Sequence, residues 1–119
     1  MTFDFYLGGY ARDHSYRLVL TNSSLSISDF VGIPITEHDK VVSVDKSVDW
    51  NNLVVFLKVC NWKRRYDSNV LDGTQWELRV KGESISIESY GSNAYPDDFD
   101  EFLMLLNRVI SEVGMKISK

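Results

Sequence analysis

The chain contains one cysteine, Cys60, and two histidines, His14 and His38, and these are the residues from which nucleophile–base chemistry would be built. Cys60 falls on the apolar stripe of a predicted helix, where a thiol usually behaves as a small, inert hydrophobe. The histidines stand 24 residues apart with no paired cysteines, so their spacing does not make a metal site and both read as loop residues. Asp97, Asp98, Asp100 and Glu101 form the densest carboxylate cluster. General acid–base work would need one of them in a pocket with a raised pKa. They open a predicted helix toward solvent instead, and their spacing lacks the glycine and oxygen-ligand pattern of a calcium loop. No catalytic residue, metal site or cofactor is therefore assigned, and the chain reads as a non-enzyme.

Two further segments carry recognition chemistry. Trp62-Lys63-Arg64-Arg65-Tyr66 sets aromatics beside three cations, the combination with which single-strand binders grip phosphates and stack on bases. Three cations are few, and the alternative is that Trp62 and Tyr66 anchor the segment to the core while the cations stay solvated. Tyr90-Gly91-Ser92-Asn93-Ala94-Tyr95-Pro96 combines residues that tolerate positive φ, a restricted proline and two tyrosine hydroxyls. It reads as a recognition loop, as a sharp strand-to-helix connection packed beside Trp76, or as both.

The elements that must position these residues follow from hydrophobic period. Trp76, Leu78 and Val80 alternate with Gln75, Glu77 and Arg79, and Ile85 and Ile87 continue the alternation after a turn at Lys81-Gly82-Glu83, which predicts a hairpin. Phe3–Leu7, Tyr16–Leu20 and Leu25–Ser28 are strand candidates, with a shorter one at Lys40–Val44; residues 31–39, with Pro34, are expected to be irregular. Ser47 is a predicted N-cap for a helix carrying Trp50, Leu53, Val54, Leu57 and Cys60 on one side. Residues 61–71 read as a polar, basic connection without period. Phe99, Phe102, Leu103, Leu106, Val109, Ile110 and Val113 predict a second amphipathic helix from about Asp97, ended by Gly114. The expected fold is α+β: a mostly antiparallel sheet of about five to six strands with two helices on one face, in the order β-β-β-(β)-α-β-β-α.

The 119 residues suffice for one globular domain, 1–119, with a substantial core, and 44% hydrophobic content excludes a disordered chain. No apolar run approaches the ~20 residues that span a bilayer, and the N-terminus lacks a signal-peptide pattern. With a lone cysteine, a cytoplasmic location is expected. The net charge of -4 is unevenly spread. Residues 61–81 carry Lys63, Arg64, Arg65, Arg79 and Lys81 against three acids. Residues 83–112 carry Glu83, Glu88, Asp97, Asp98, Asp100, Glu101 and Glu112 against Arg108 alone. That balance favours a basic partner over nucleic acid or an anionic membrane.

Trp62-Lys63-x-x-Tyr66, Asp72-Gly73-Thr74-Gln75-Trp76-Glu77-Leu78, Tyr90-Gly91-Ser92-Asn93-Ala94-Tyr95-Pro96 and Phe99 together resemble a group of small bacterial proteins. Some proteins of this size and layout are similar to immunity proteins of contact-dependent growth inhibition and related polymorphic toxin systems. The resemblance covers about residues 60–106. It implies a cytoplasmic protein, monomer or weak dimer, that blocks a cognate toxin, often a basic nuclease, by covering a surface the toxin needs. Glu88, Asp97, Asp98, Asp100 and Glu101 would then attract the toxin, with Tyr90 and Tyr95 as anchors. The alternative from another class is a small regulatory or nucleic-acid-binding module that uses Trp62–Tyr66.

Overall fold

A computed structural model describes residues 1–9, 14–30, 40–68 and 73–119. The expectations placed on His38, Asp72 and the stretch 31–39 lie outside the described residues. Strands β1 (Thr2–Gly8), β2 (Ser15–Thr21), β3 (Ser24–Phe30) and β4 (Lys40–Ser43) precede helix α1 (Val48–Val59). Strands β5 (Arg65–Asp67), β6 (Gln75–Gly82) and β7 (Ile85–Ser92) follow, then helix α2 (Phe99–Val109) and a 3-10 turn at Ser111–Val113. The strands form one sheet in the order β4-β3-β2-β1-β6-β7-β5, with β1 at its centre. The architecture is α+β, as the hydrophobic periods imply, with seven strands rather than five to six. The extra strand, β5, falls inside the segment read as a connection, and it pairs parallel to β7, so the sheet is mixed.

Alternation decides which face is buried. Phe3, Phe5 and Leu7 on β1 share a face with Leu18 of β2 and with Trp76, Leu78 and Val80 of β6, and all of them are buried. Both helices pack on this face: Phe3 meets Trp50 of α1 edge-on, and Phe5 meets Phe99 and Phe102 of α2. Each such aromatic or aliphatic side chain contributes about 1.5–3 kcal/mol on burial, which makes this interface the main source of stability. Among the described residues no helix packs on the opposite face.

Helix α1 begins as its sequence dictates. Ser47 Oγ accepts the Trp50 N–H at 3.1 Å, and Trp50, Leu53 and Leu57 turn inward. Cys60 is the half-buried residue just past the end of the helix. Helix α2 starts at Phe99 with Asp98 as its flanking residue, but it stops at Val109, earlier than its apolar period suggests. A 3-10 turn carries Val113 back to the core, and Gly114, at φ 75°, caps that turn rather than the helix. Asn107 then clamps the following segment: its Oδ1 accepts the Ile117 N–H at 2.7 Å and its Nδ2 donates to the Ile117 carbonyl at 2.8 Å.

Candidate functional site

The segments that carry the family resemblance converge on Trp76. Its indole N–H donates to the Ala94 carbonyl at 2.9 Å, and the rings of Trp62, Tyr66, Tyr95 and Phe99 surround it with centroids 5.0 to 6.5 Å away. Gly91 lies directly under the indole. A Cβ there would collide with Trp76 Nε1 and stand 2.5 Å from the Ala94 carbonyl oxygen. Asn93, at φ 53°, joins the two ends of the pattern: its Oδ1 accepts the Thr74 N–H at 2.8 Å while its own N–H donates to the Thr74 carbonyl at 2.9 Å. Asparagine is one of the few side chains at ease in that left-handed conformation. The Trp62 indole donates to Asp98 Oδ1 at 2.7 Å, and the Tyr66 hydroxyl accepts the Lys63 N–H at 2.9 Å. The pattern is thus a core signature that ties β5, β6, β7 and the start of α2 together.

This convergence separates the residues expected to bind a partner. Glu88 and Tyr90 pair across the strands with Arg79 and Glu77 on the uncovered face of the sheet. Tyr95, Asp97, Asp98, Asp100 and Glu101 lie at the start of α2, in the helical layer. Three of the five carboxylates are already engaged. Glu88 is 3.2 Å from Arg64, Asp100 is 3.1 Å from Lys119, and Asp98 holds the Trp62 indole. Asp97 and Glu101 are exposed and have no ion pair among the described residues.

The uncovered face carries an ordered row that hydrophobic period does not reveal. Arg17, Tyr6, Glu77, Tyr90 and Arg65 stand opposite one another in succession across β2, β1, β6, β7 and β5. Tyr6 and Tyr90 flank Glu77 at one strand spacing each, so their Cα atoms are about 10 Å apart. A neighbouring row runs Asp4, Arg79, Glu88. Ion pairs run across and along these strands: Arg17 reaches diagonally to Asp4 at 2.7 Å, while Arg79 pairs with Glu77 along β6 at 2.6 Å and Arg65 with Asp67 along β5 at 2.8 Å. Arg64 donates to the Tyr90 hydroxyl at 3.3 Å, and Arg65 lies 5.6 Å from the Tyr90 ring centre. The bond to Tyr90, and after it the charge of Glu88, push the Arg64 pKa up. Between β1 and β5, Tyr6, Glu77, Arg79, Glu88, Tyr90 and the neighbouring Arg64 and Arg65 line an open concavity of about 620 Å³.

The groups weighed for catalysis lie apart from this concavity. The Cys60 thiol donates to the Leu57 carbonyl at 3.4 Å, and burial pushes its pKa up, away from the thiolate a nucleophile needs. His14 stands 2.8 Å from Asp29 on the β2–β3 side. Among the described residues no group of three or more His, Cys, Asp or Glu is placed to hold a metal ion. Among the described residues no helix is long and apolar enough to cross a membrane. Comparison of the chain with protein-family models, curated proteins and solved structures finds no match.

Proposed function

We propose that this is an immunity-type protein, a non-enzymatic binder that neutralises a cognate bacterial toxin domain in the cytoplasm through a protein–protein interface. The observation that carries the reading is the uncovered half of the sheet between β1 and β5. It presents Tyr6, Tyr90, Arg64, Arg65 and Arg79 on a shallowly concave frame. Tyrosine and arginine are the residue types that dominate binding energy at protein interfaces, and they do so where a fixed backbone holds them in place. The ion pairs on this face are exposed, so each is weak and exchanges readily for a partner's charge. Asp97 and Glu101 add a local negative field that speeds the approach of a basic surface.

The alternative, nucleic-acid binding through Trp62–Tyr66, finds less support. The Trp62 ring stacks on Phe99 and its N–H is spent on Asp98, while Tyr66 leans on Trp76, so both rings are used to anchor this segment to the core. Co-expression with a toxic domain found in a neighbouring reading frame tests the proposal. The wild-type chain should restore growth, and Tyr6→Ala with Tyr90→Ala should abolish rescue while the protein stays folded; each single change should weaken affinity about 30-fold, a loss of about 2 kcal/mol. Rescue that survives the double substitution would remove the uncovered face from the mechanism.

A further inference from the structure

Helix α1 is apolar on both of its sides. Trp50, Leu53 and Leu57 face the sheet and are buried. Val48, Val55 and Val59 stand on the opposite side, 71%, 62% and 77% exposed, and the exposed Asn52 lies between the first two. Helix α2 keeps the usual division instead, with Asp100, Glu101 and Arg108 on its outer side. A surface helix ordinarily carries one apolar stripe, and a second stripe marks a helix that is covered on both sides once its assembly is complete.

The outer stripe has the spacing of a coiled-coil seam. Val48, Asn52, Val55 and Val59 recur at intervals of four, three and four residues, which puts Asn52 and Val59 at a and Val48 and Val55 at d. The asparagine identifies the occupant. Against a foreign apolar surface its amide would lose water without gaining a partner, whereas in a parallel pair of identical helices it meets its own copy and the two amides bond to each other. Charge permits the same arrangement. Asp49 and Lys58, the only charged residues of α1, lie on opposite flanks of the stripe. Across a parallel seam Asp49 faces the Asn51 flank of the copy and Lys58 the Phe56 flank, so like charges never meet. Area sets the strength: a seam of 12 residues is about 18 Å long and about 10 Å wide, and it buries less than the ~1,200 Å² at which stable interfaces begin. The pairing is therefore weak and reversible.

We infer that two copies of this chain associate through α1, parallel and in register about a two-fold axis, with Val48, Asn52, Val55 and Val59 forming the seam. The inference goes beyond the proposed function and does not depend on it. Because α1 and the uncovered face lie on opposite sides of the sheet, the pair turns its two uncovered faces outward, and each copy keeps its Tyr6–Tyr90 surface free.

Sedimentation velocity of the full chain from about 0.02 to about 1 mM follows the pairing, with an expected dissociation constant on the order of 0.1–1 mM. Val55→Asp, an exposed change that circular dichroism should show to be folded, should leave a monomer throughout. Asn52→Val should tighten the pairing about tenfold, because an asparagine at a gives up stability for register. Oxidative cross-linking in a Cys60→Ala background reads the orientation. Val48→Cys alone and Val59→Cys alone should each yield a disulfide-linked dimer, since parallel pairing sets each position against itself. A wild-type chain that stays monomeric to about 1 mM, pairing that survives Val55→Asp, or an Asn52→Val chain that pairs no more tightly overturns the inference. So does cross-linking that appears only when the Val48→Cys and Val59→Cys chains are mixed, the outcome of an antiparallel pair. The Tyr6–Tyr90 rescue test stands apart, because Val55→Asp leaves that face intact.

Discussion

Gly91→Ala is the smallest change that tests whether the shared pattern is a core device. The added methyl would overlap Trp76 Nε1, lie 2.7 Å from Trp76 Cε2, and approach the Ala94 carbonyl oxygen at 2.5 Å. Neither neighbour yields easily: Trp76 is 2% exposed, and the carbonyl belongs to the backbone. Overpacking of this kind costs about 1–3 kcal/mol. If the indole shifts, its hydrogen bond to Ala94 breaks as well, adding about 1–3 kcal/mol for the groups left unpaired. The expected total of about 2–6 kcal/mol is a large part of the roughly 5–15 kcal/mol that holds an ordinary domain folded. Urea unfolding followed by tryptophan fluorescence reads it directly. With a slope of about 1–3 kcal/mol/M, the midpoint should fall by about 1–3 M. Gly114→Ala is the control, because nothing stands within 4 Å of its added Cβ. Only its left-handed φ of 75° opposes the change, at a cost of about 1 kcal/mol. A Gly91→Ala midpoint within about 0.2 M of wild type, a loss of ~0.5 kcal/mol or less, would refute the locking of Trp76 by Gly91.

Two other expectations follow from the same geometry. Trp62→Phe keeps an aromatic ring on Phe99 but leaves Asp98 without its donor, and it should cost about 1–3 kcal/mol in urea unfolding; Asp98→Asn, which keeps a carbonyl acceptor, should cost less. Burial raises the Cys60 pKa in the folded state, so the unfolded thiol, with a pKa of about 8.5, ionises first. Stability should hold below that pH and decline as pH rises from it through the folded pKa. Cys60→Ala should remove this part of the decline, and iodoacetamide at pH 8 should label folded Cys60 more slowly than the urea-unfolded chain.

The extent to which the sequence foretells this structure depends on how local each feature is. The β6–β7 hairpin and the start of α1 are legible because alternation and a serine cap act within a few positions, although the turn falls at Glu83-Ser84 and Lys81 and Gly82, expected in it, still belong to β6. Strand β5 is not. Arg65-Tyr66-Asp67 is too short to show a period, and its parallel pairing with Tyr90–Ser92 has no turn to announce it. The end of α2 misleads for a different reason: Ile110 and Val113 keep the apolar spacing, yet a 3-10 turn rather than another helical turn buries them. The partner-binding residues suffer most. Glu88 and Tyr95 look like neighbours along the chain, but Glu88 lies on the uncovered face and Tyr95 in the helical layer. Arg17, Tyr6, Glu77, Tyr90 and Arg65, by contrast, share no spacing in the sequence and are aligned only by strand register.

The placement of the shared pattern bears on what a resemblance built on it can convey. Gly73, Trp76, Gly91, Asn93 and Tyr95 are constrained by one another: a Cβ at Gly73 would strike Asn93 Oδ1, one at Gly91 would strike the Trp76 indole, and Tyr95 needs the face of that indole. Changing any one of them costs folding energy whatever the protein binds. Glu77 and Arg79, which pair with each other, and Arg65, which pairs with Asp67, point away from that core in exposed ion pairs and can change at about 0.5 kcal/mol or less each. Proteins that share the pattern would therefore share the seam joining β6, β7 and α2 while their uncovered faces are free to suit different partners.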